Sequence, residues 1–435
     1  MSARSFRIGL AGLYLGSLAI NIACAWTLGA TGILSGEETS VSLRDPFFLE
    51  LRQQYDTICT NIAGHIFYWL GQQLAPAPSL FFGRYEKALA MALVPVFVAL
   101  YLARRPRVSQ ATALLTAALL ALMPGFFLFA PIATENGLEC LPGMAALWLA
   151  ASERPTVRWL AAPLASWTAL TYGAGIAFVP AIVCQVIASE RASFSARRAL
   201  IWIAGFAAPW LVPFVIWKNQ PHLLTGGGTL SDLPTLFHHT AQLAREAALR
   251  GGSYYYFADF PALSQPLLAV AVLGAAAWLG VRREHAPVLV GFAASVAIYL
   301  LSGREVGMRR GVPIVVYSIT LLGLAWPLLR RFQLHAPLAR GAVALCFVVG
   351  AIELSITCAR FADGTWRVPL DFDFQVRPGM TMPETYRYLL LHPEAINEAY
   401  EPERTWTALH FLARQLPEPA AAAFSRAAVA ERLQR

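Results

Sequence analysis

Two adjacent glutamates, Glu37 and Glu38, follow the first long apolar run of the chain, residues 8–33. A carboxylate near the surface of a membrane can accept the proton of an attacking hydroxyl or amine, so the pair predicts general-base chemistry. The same oxygens could also act as partial ligands of a divalent cation. A third interpretation is that the pair only solvates the outer end of the first helix, and the two residues alone leave these alternatives open.

Arginines that could bind a phosphate occur in two other segments. Arg304, Arg309 and Arg310 precede a late apolar run, and Arg84 lies at the start of an earlier one. The planar guanidinium group matches phosphate oxygens in a bidentate geometry, so these side chains are candidates for binding a phosphate. The alternative is interfacial snorkelling, or pairing of the first three arginines with Glu305.

Glu135 and His65 are the remaining candidates for contact with a substrate. Glu135 lies inside the apolar stretch 114–150, and a carboxylate placed deep in a bilayer costs roughly 2.5–3.5 kcal/mol. We therefore expect it to face a polar cavity or the outer interface, either at an acceptor site or as a turn residue before the returning helix. His65 could contact a leaving group or a metal, or be an ordinary interfacial histidine among aromatic residues.

The elements that position these side chains are apolar helices. Of the 435 residues, 57% are hydrophobic and 14% are charged, which is typical of an integral membrane protein. Apolar runs recur from residue 8 to residue 357, and most approach the roughly 20 residues needed to cross the hydrocarbon layer. They predict an all-helical bundle of about 11 transmembrane helices, with amphipathic helices in the first extracytoplasmic loop. Residues 157–189 are expected to form a hairpin that turns near Thr171-Tyr172-Gly173.

Arginine clusters recur in alternate short loops, which predicts that these loops are cytoplasmic. They are Arg104-Arg105 with Arg107, Arg154 with Arg158, Arg191 with Arg197-Arg198, Arg282-Arg283, and Arg330-Arg331 with Arg340. The amino terminus is then cytoplasmic and the carboxyl terminus extracytoplasmic. The net charge of +8 comes mostly from these loops, so it indicates topology and no nucleic-acid partner.

The chain is expected to divide into a transmembrane domain, 1–358, and a small extracytoplasmic tail, 359–435, where hydropathy falls. The six cysteines lack the paired spacing of a zinc or dithiol motif. Cys24, Cys184 and Cys346 are interpreted as apolar helix residues. Cys59, Cys140 and Cys358 fall on or near the outer side, where a disulfide among them can form, although the sequence does not require one.

The order of these segments resembles that of the GT-C glycosyltransferases of the protein O-mannosyltransferase and lipid A aminoarabinose transferase type. In those families a first outer loop with Asp-Glu precedes a His-Pro-Pro-like segment and an Arg-containing helix start. The corresponding segments here are SGEETSVSL at 35–43, GHIFYWLG at 64–71 and the stretch that begins FFGRYEK at 81–105.

The resemblance continues to about residue 330. Residues 114–150 are similar to a proline-interrupted helix that ends at a Gln-Glu-Ala-Arg motif, with Thr134-Glu135-Asn136 in the place of the motif. Residues 302–329 resemble the later segment in which an Arg-Tyr pair opens a helix. Three positions depart from the pattern: Glu37 replaces an aspartate, His65 lacks the two prolines, and Gly137 stands near the expected arginine.

The resemblance implies transfer of a sugar from a polyprenyl-phosphate donor to an extracytoplasmic glycan, lipid or protein acceptor, in a bacterial inner membrane. Glu37 would be the base, Glu38 would orient it or assist a metal, and the arginines would hold the lipid phosphate. Dependence on a divalent metal stays open. The alternative is a noncatalytic relative that binds lipid-linked glycan or serves an envelope assembly. A translocase would need repeat symmetry that the sequence lacks.

Overall fold

All regular elements in the described part of the chain are helices. The computed structural model describes residues 1–29, 62–74, 80–132, 136–190, 195–211, 285–301, 310–329 and 336–363, with isolated positions between 234 and 275 and between 388 and 392. No strand occurs within these ranges, which confirms the all-helical fold class for them. The predicted amphipathic helices of the first outer loop, and nearly all of the tail 359–435, lie outside the described residues.

The first part of the bundle is built from five helices and a break at a proline. The helices are α1 (Ala3–Gly29), α2 (Ile62–Leu74), α3 (Leu80–Met91), α4 (Leu93–Ala103) and α5 (Gln110–Ala121). α4 follows α3 almost without interruption, because the intervening Ala92 keeps helical backbone angles. Ser109 begins α5 as its N-cap and accepts a hydrogen bond from the Thr112 backbone N–H at 3.1 Å. Pro124 then starts the short helix α6 (Pro124–Phe127).

The second part contains eight further helices, with a 3₁₀ turn at Gly173–Ala177 that connects two of them. They are α7 (Cys140–Ala150), α8 (Pro155–Trp159), α9 (Ala161–Thr171), α10 (Phe178–Glu190), α11 (Ala196–Ala207), α12 (Ala286–Leu301), α13 (Val312–Leu329) and α14 (Ala336–Asp363). The predicted hairpin thus turns between the end of α9 and the 3₁₀ turn.

Among the described residues, four helical stretches are long and apolar enough to cross a membrane: Ala3–Thr27, Gly83–Ala103, Gly173–Glu190 and Val343–Arg360. The first and the last of these, in α1 and α14, leave large apolar side chains exposed, which suits contact with lipid. These side chains include Leu15, Trp26, Leu345, Val348 and Ile352. The total of about 11 spans remains a prediction.

The helices share one apolar core, in which glycines allow close approach. Val98 and Leu102 of α4 are fully buried within it. A Cβ added at Gly143 of α7 would overlap the ring of Phe178, and one added at Gly291 of α12 would overlap Tyr317. Lipid removes the hydrophobic driving force between helices, so membrane bundles depend on close packing. Small residues at helix contacts allow that packing and are typical of such bundles.

Arginines from three of the predicted short loops lie at one end of this core. Arg104 donates to the Trp148 carbonyl and stacks over the Trp148 ring, 4.5 Å from its centroid. Partial burial lowers the pKa of Arg104, and the Glu153 carboxylate opposes that shift. Arg158 donates to the Ser189 carbonyl at 2.6 Å. The loops after α4, α7 and α10 are therefore neighbours.

Glu190 is the acid that joins two of these loops. Arg158 Nε lies 3.8 Å from its carboxylate, and Arg198 Nη1 lies 3.9 Å from it. Glu190 itself is buried. Its charge is therefore compensated on both sides. Three of the five short loops predicted to share one face meet at one end of the bundle, and the arginine pairs Arg282-Arg283 and Arg330-Arg331 lie outside the described residues.

Two glycines of the 3₁₀ turn give a matched test of this packing. A Cβ at Gly175 would overlap the Thr168 carbonyl oxygen, whereas one at Gly173 would meet nothing within 4 Å. We expect Gly175→Ala to lower the free energy of unfolding by about 1–3 kcal/mol, because backbone must shift. Gly173→Ala should change it by less than about 0.5 kcal/mol. Unfolding in detergent measures both, and equal effects would contradict the packing described.

Candidate functional site

Two cationic side chains of α3, Arg84 and Lys87, are completely buried. Residues three apart on a helix lie on the same side, so the two charges point to one region of the bundle. Ionisable groups inside a membrane bundle are costly and usually mark a substrate or ion site. This pair therefore defines the first part of the candidate site.

The turn before α7 supplies the partner of Lys87. Lys87 Nζ donates a hydrogen bond of 2.6 Å to the backbone carbonyl of Asn136. The next residue, Gly137, has a φ of +86°, a conformation that side chains other than glycine rarely adopt. The turn can therefore direct its carbonyl toward α3 while the chain reverses into α7.

Glu139 ends this turn and is fully buried. It immediately precedes the first residue of α7, where the positive end of the helix dipole favours a carboxylate. Glu139 and Lys87 are both within electrostatic range of the Cys140 thiol, so the two opposite charges share one region. The Glu139 Cβ also lies beside Gly175 of the 3₁₀ turn, which places the α9–α10 connection at the site.

The start of α13 brings Arg310 to the same end of the bundle. A Cβ built at Gly137 would lie 3.4 Å from both Met91 Cε and Val312 Cγ1. The turn is thus held between the end of α3 and the first residue of α13. Arg310, two positions before Val312, is half-buried there.

Two aromatic rings form a floor beside α7, one turn beyond Glu139. The rings of Phe178 and Tyr317 lie 5.0 Å apart, centroid to centroid. Both are fully buried, and Phe178 also contacts Gly143 one turn into α7. This aromatic floor belongs to the buried core, where a low dielectric strengthens electrostatic interactions.

A second acid, Glu86 of α3, faces a different neighbour. The Glu86 carboxylate lies against Gly71 of α2, because a Cβ added at Gly71 would overlap it. Its Oε2 is buried without a hydrogen bond to the described part of the chain. α3 thus carries ionisable side chains on two sides, toward the turn before α7 and toward α2.

Two of the eight site residues predicted from the sequence have described side chains. Arg84 is in the cluster, and Arg310 lies at the same end of the bundle. His65 is within α2, but its side chain is outside the described residues, as are Glu37, Glu38, Glu135, Arg304 and Arg309. The predicted proximity of these residues to Arg84 stays a prediction.

Sequence reasoning missed Lys87 and Glu139. The signal for Lys87 was its position three residues after Arg84, inside a helix that continues into an apolar span. The signal for Glu139 was a carboxylate directly before the apolar residues of α7. Each resembles an ordinary helix-end charge when it is considered alone.

No protein-family model matches the chain, and no curated protein matches it. Within the described ranges there is also no group of three or more histidine, cysteine or acidic side chains that could hold a metal ion. The case for a function therefore depends on the buried cluster and on the order of the sequence motifs.

Removing the buried lysine should test the cluster directly. We expect Lys87→Met to lower the free energy of unfolding by about 3–5 kcal/mol, because a buried carboxylate is left with less compensating charge. Arg7→Gln, at an exposed arginine of α1, is the control and should have an effect within about 0.5 kcal/mol. Denaturant unfolding in detergent measures both variants, and a neutral Lys87→Met would show that this charge is not needed for folding.

Proposed function

We propose that this chain is a membrane glycosyltransferase that transfers a sugar from a polyprenyl-phosphate donor to an extracytoplasmic glycan, lipid or protein acceptor. The observation that carries the proposal is the pair of buried cations, Arg84 and Lys87, at one end of an apolar helical bundle. A lipid phosphate is an anion whose hydrocarbon chain stays in the bilayer. Cations at the end of membrane helices fit such a ligand.

The reaction explains why acids and cations would be needed together. An acceptor oxygen or nitrogen attacks the anomeric carbon while the bond between that carbon and the phosphate oxygen breaks. Glu37 would take the acceptor proton, and Glu38 would orient Glu37 or assist a divalent cation. Arg84, with Arg304, Arg309 and Arg310, would stabilise the negative charge on the departing lipid phosphate.

Lys87 offers a physical reason for one departure from the family pattern. Gly137 stands near the expected arginine, and its φ of +86° would be strained for any residue with a side chain. Lys87 donates to the preceding carbonyl from α3. We infer that α3 supplies the cation that the turn itself lacks.

The orientation of the chain follows from the arginine-rich end. The loops with Arg104, Arg158 and Arg198 would face the cytoplasm, since positively charged short loops remain there. The buried cluster would then lie toward the extracytoplasmic face, together with Glu37, Glu38 and the tail 359–435. This arrangement, with about 11 spans in a bacterial inner membrane, is part of the proposal.

A noncatalytic protein that binds lipid-linked glycan is the second candidate. The replacement of an arginine by Gly137 favours it, because the tight turn removes a functional group of the family from the site. Both candidates predict binding of a polyprenyl-phosphate sugar. Only the transferase predicts that the sugar leaves its carrier.

The first test is sugar transfer from a panel of radiolabelled polyprenyl-phosphate sugars, with cell-envelope extract as the source of acceptor. We expect transfer by the wild-type protein and a loss of about 10²–10⁴-fold in Glu37→Gln, because the amide cannot accept the proton. Transfer that survives this substitution would assign the base to another residue. Binding of every donor in the panel without transfer would favour the noncatalytic candidate.

Arg84 is expected to bind the phosphate of the donor. With the donor that supports transfer, Arg84→Gln is expected to raise KM for the polyprenyl-phosphate sugar roughly 10–100-fold, since a charged hydrogen bond contributes about 1.5–3 kcal/mol. Arg84→Lys should recover part of this loss. The control is Arg197→Gln, an exposed arginine at the opposite end of the bundle, and an equal rise in KM there would contradict a specific role for Arg84.

A further inference from the structure

The thiols of Cys24 and Cys358 are neighbours at the interface between the first and the last described helices. The two thiols lie within interaction distance of each other, and the Thr27 hydroxyl is a neighbour of Cys358. α1 and α14 contact each other along this interface. Cys24 belongs to the buried core, and Cys358 packs against it.

Both cysteines lie close to the same end of the bundle. Cys24 is within one turn of Thr27, where the apolar span of α1 ends, and Cys358 is within one turn of Arg360, where the span of α14 ends. The two helices are therefore parallel in this region. Asn21, one turn before Cys24, donates to the Ala88 carbonyl at 3.1 Å, so this end also holds the cluster that includes Lys87.

The two cysteines are neighbours on contacting helices. Neighbouring thiols can form a disulfide with small side-chain rotations when their Cα atoms are within about 7 Å. Cys24 is completely buried, whereas Cys358 is half-buried. Cys358 is thus the sulfur that an oxidant reaches first, and Cys24 is positioned to resolve the intermediate.

We propose that Cys24 and Cys358 form a disulfide that joins α1 to α14 at the extracytoplasmic end of the bundle. The side of the membrane rests on the orientation given with the proposed function. The oxidant is a disulfide of a protein or a small molecule. The Cys358 thiolate attacks it and releases one thiol, and the Cys24 sulfur then attacks Cys358 and releases the second. Two protein thiols are oxidised and one disulfide is reduced to two thiols.

This bond would constrain two segments that the proposed chemistry needs. α1 leads into the loop with Glu37 and Glu38, and α14 leads into the tail. A link within one turn of both exits would fix the spacing of these exits. It would also keep α1 against α3, where Asn21 reaches the carbonyl next to Lys87.

The test traps thiols in membranes with N-ethylmaleimide and identifies linked peptides of the full-length protein by mass spectrometry. The host is a bacterium with an oxidising periplasm. We expect a Cys24–Cys358 linked peptide that disappears on reduction. When the reduced sample is alkylated, it should carry two more alkylated cysteines per chain than the unreduced sample, at these two positions. Cys358→Ser should leave Cys24 alkylated after denaturation. Cys346→Ser, at another half-buried cysteine of α14, should retain the link.

Alkylation of both Cys24 and Cys358 in freshly trapped wild-type protein would overturn the proposal, as would a link from either residue to another cysteine. Because the readout is a peptide mass, it does not depend on sugar transfer. A linked protein without transfer would contradict the proposed function and leave the disulfide standing. An active protein in which both thiols are alkylated would support the proposed function and contradict the disulfide.

Discussion

The desolvation of charge is the constraint that shapes this end of the bundle. Arg84, Lys87 and Glu139 are all removed from water, and isolated charges in such a place would be far too costly to retain. The hydrogen bond from Lys87 to the Asn136 carbonyl joins α3 to the turn before α7. Gly137 with its positive φ, the start of α7 and the start of α13 all lie next to that connection.

At the opposite end of the same helices, each charged group described has a carbonyl, an aromatic ring or an opposite charge as its partner. Arg104 extends its guanidinium over Trp148 and donates to a carbonyl, and Glu190 is shared by Arg158 and Arg198. These contacts are those of loops that meet at a surface. At this end Arg158 is buried together with Glu190 while Arg104 stays exposed, whereas at the other end Arg84 and Lys87 are both completely buried.

The sequence predicts the all-helical character of the described residues because the apolar runs and their interruptions are local signals. The break at Pro124 and the turn after Thr171 follow directly from residue type and pattern. The pairing of Lys87 with a backbone carbonyl is not local, since it joins positions 49 apart and depends on how the turn packs. The contact between Cys24 and Cys358 is hidden from the sequence for the same reason. Arg84 could be predicted because an arginine at the start of an apolar helix is conspicuous on its own.

A purely structural role for the charged cluster has difficulty explaining its composition. A bundle that only needed to join α3 to α7 could use apolar side chains of similar volume, which often stabilise a protein as well as a buried ion pair does. The packing here already provides glycines at Gly143 and Gly291 that allow close helix contact. Keeping Arg84 and Lys87 together beside the Phe178–Tyr317 floor costs stability that helix packing does not require. The proposed lipid-phosphate ligand would give that cost a reason, since an apolar surrounding would strengthen the attraction of its phosphate to both cations.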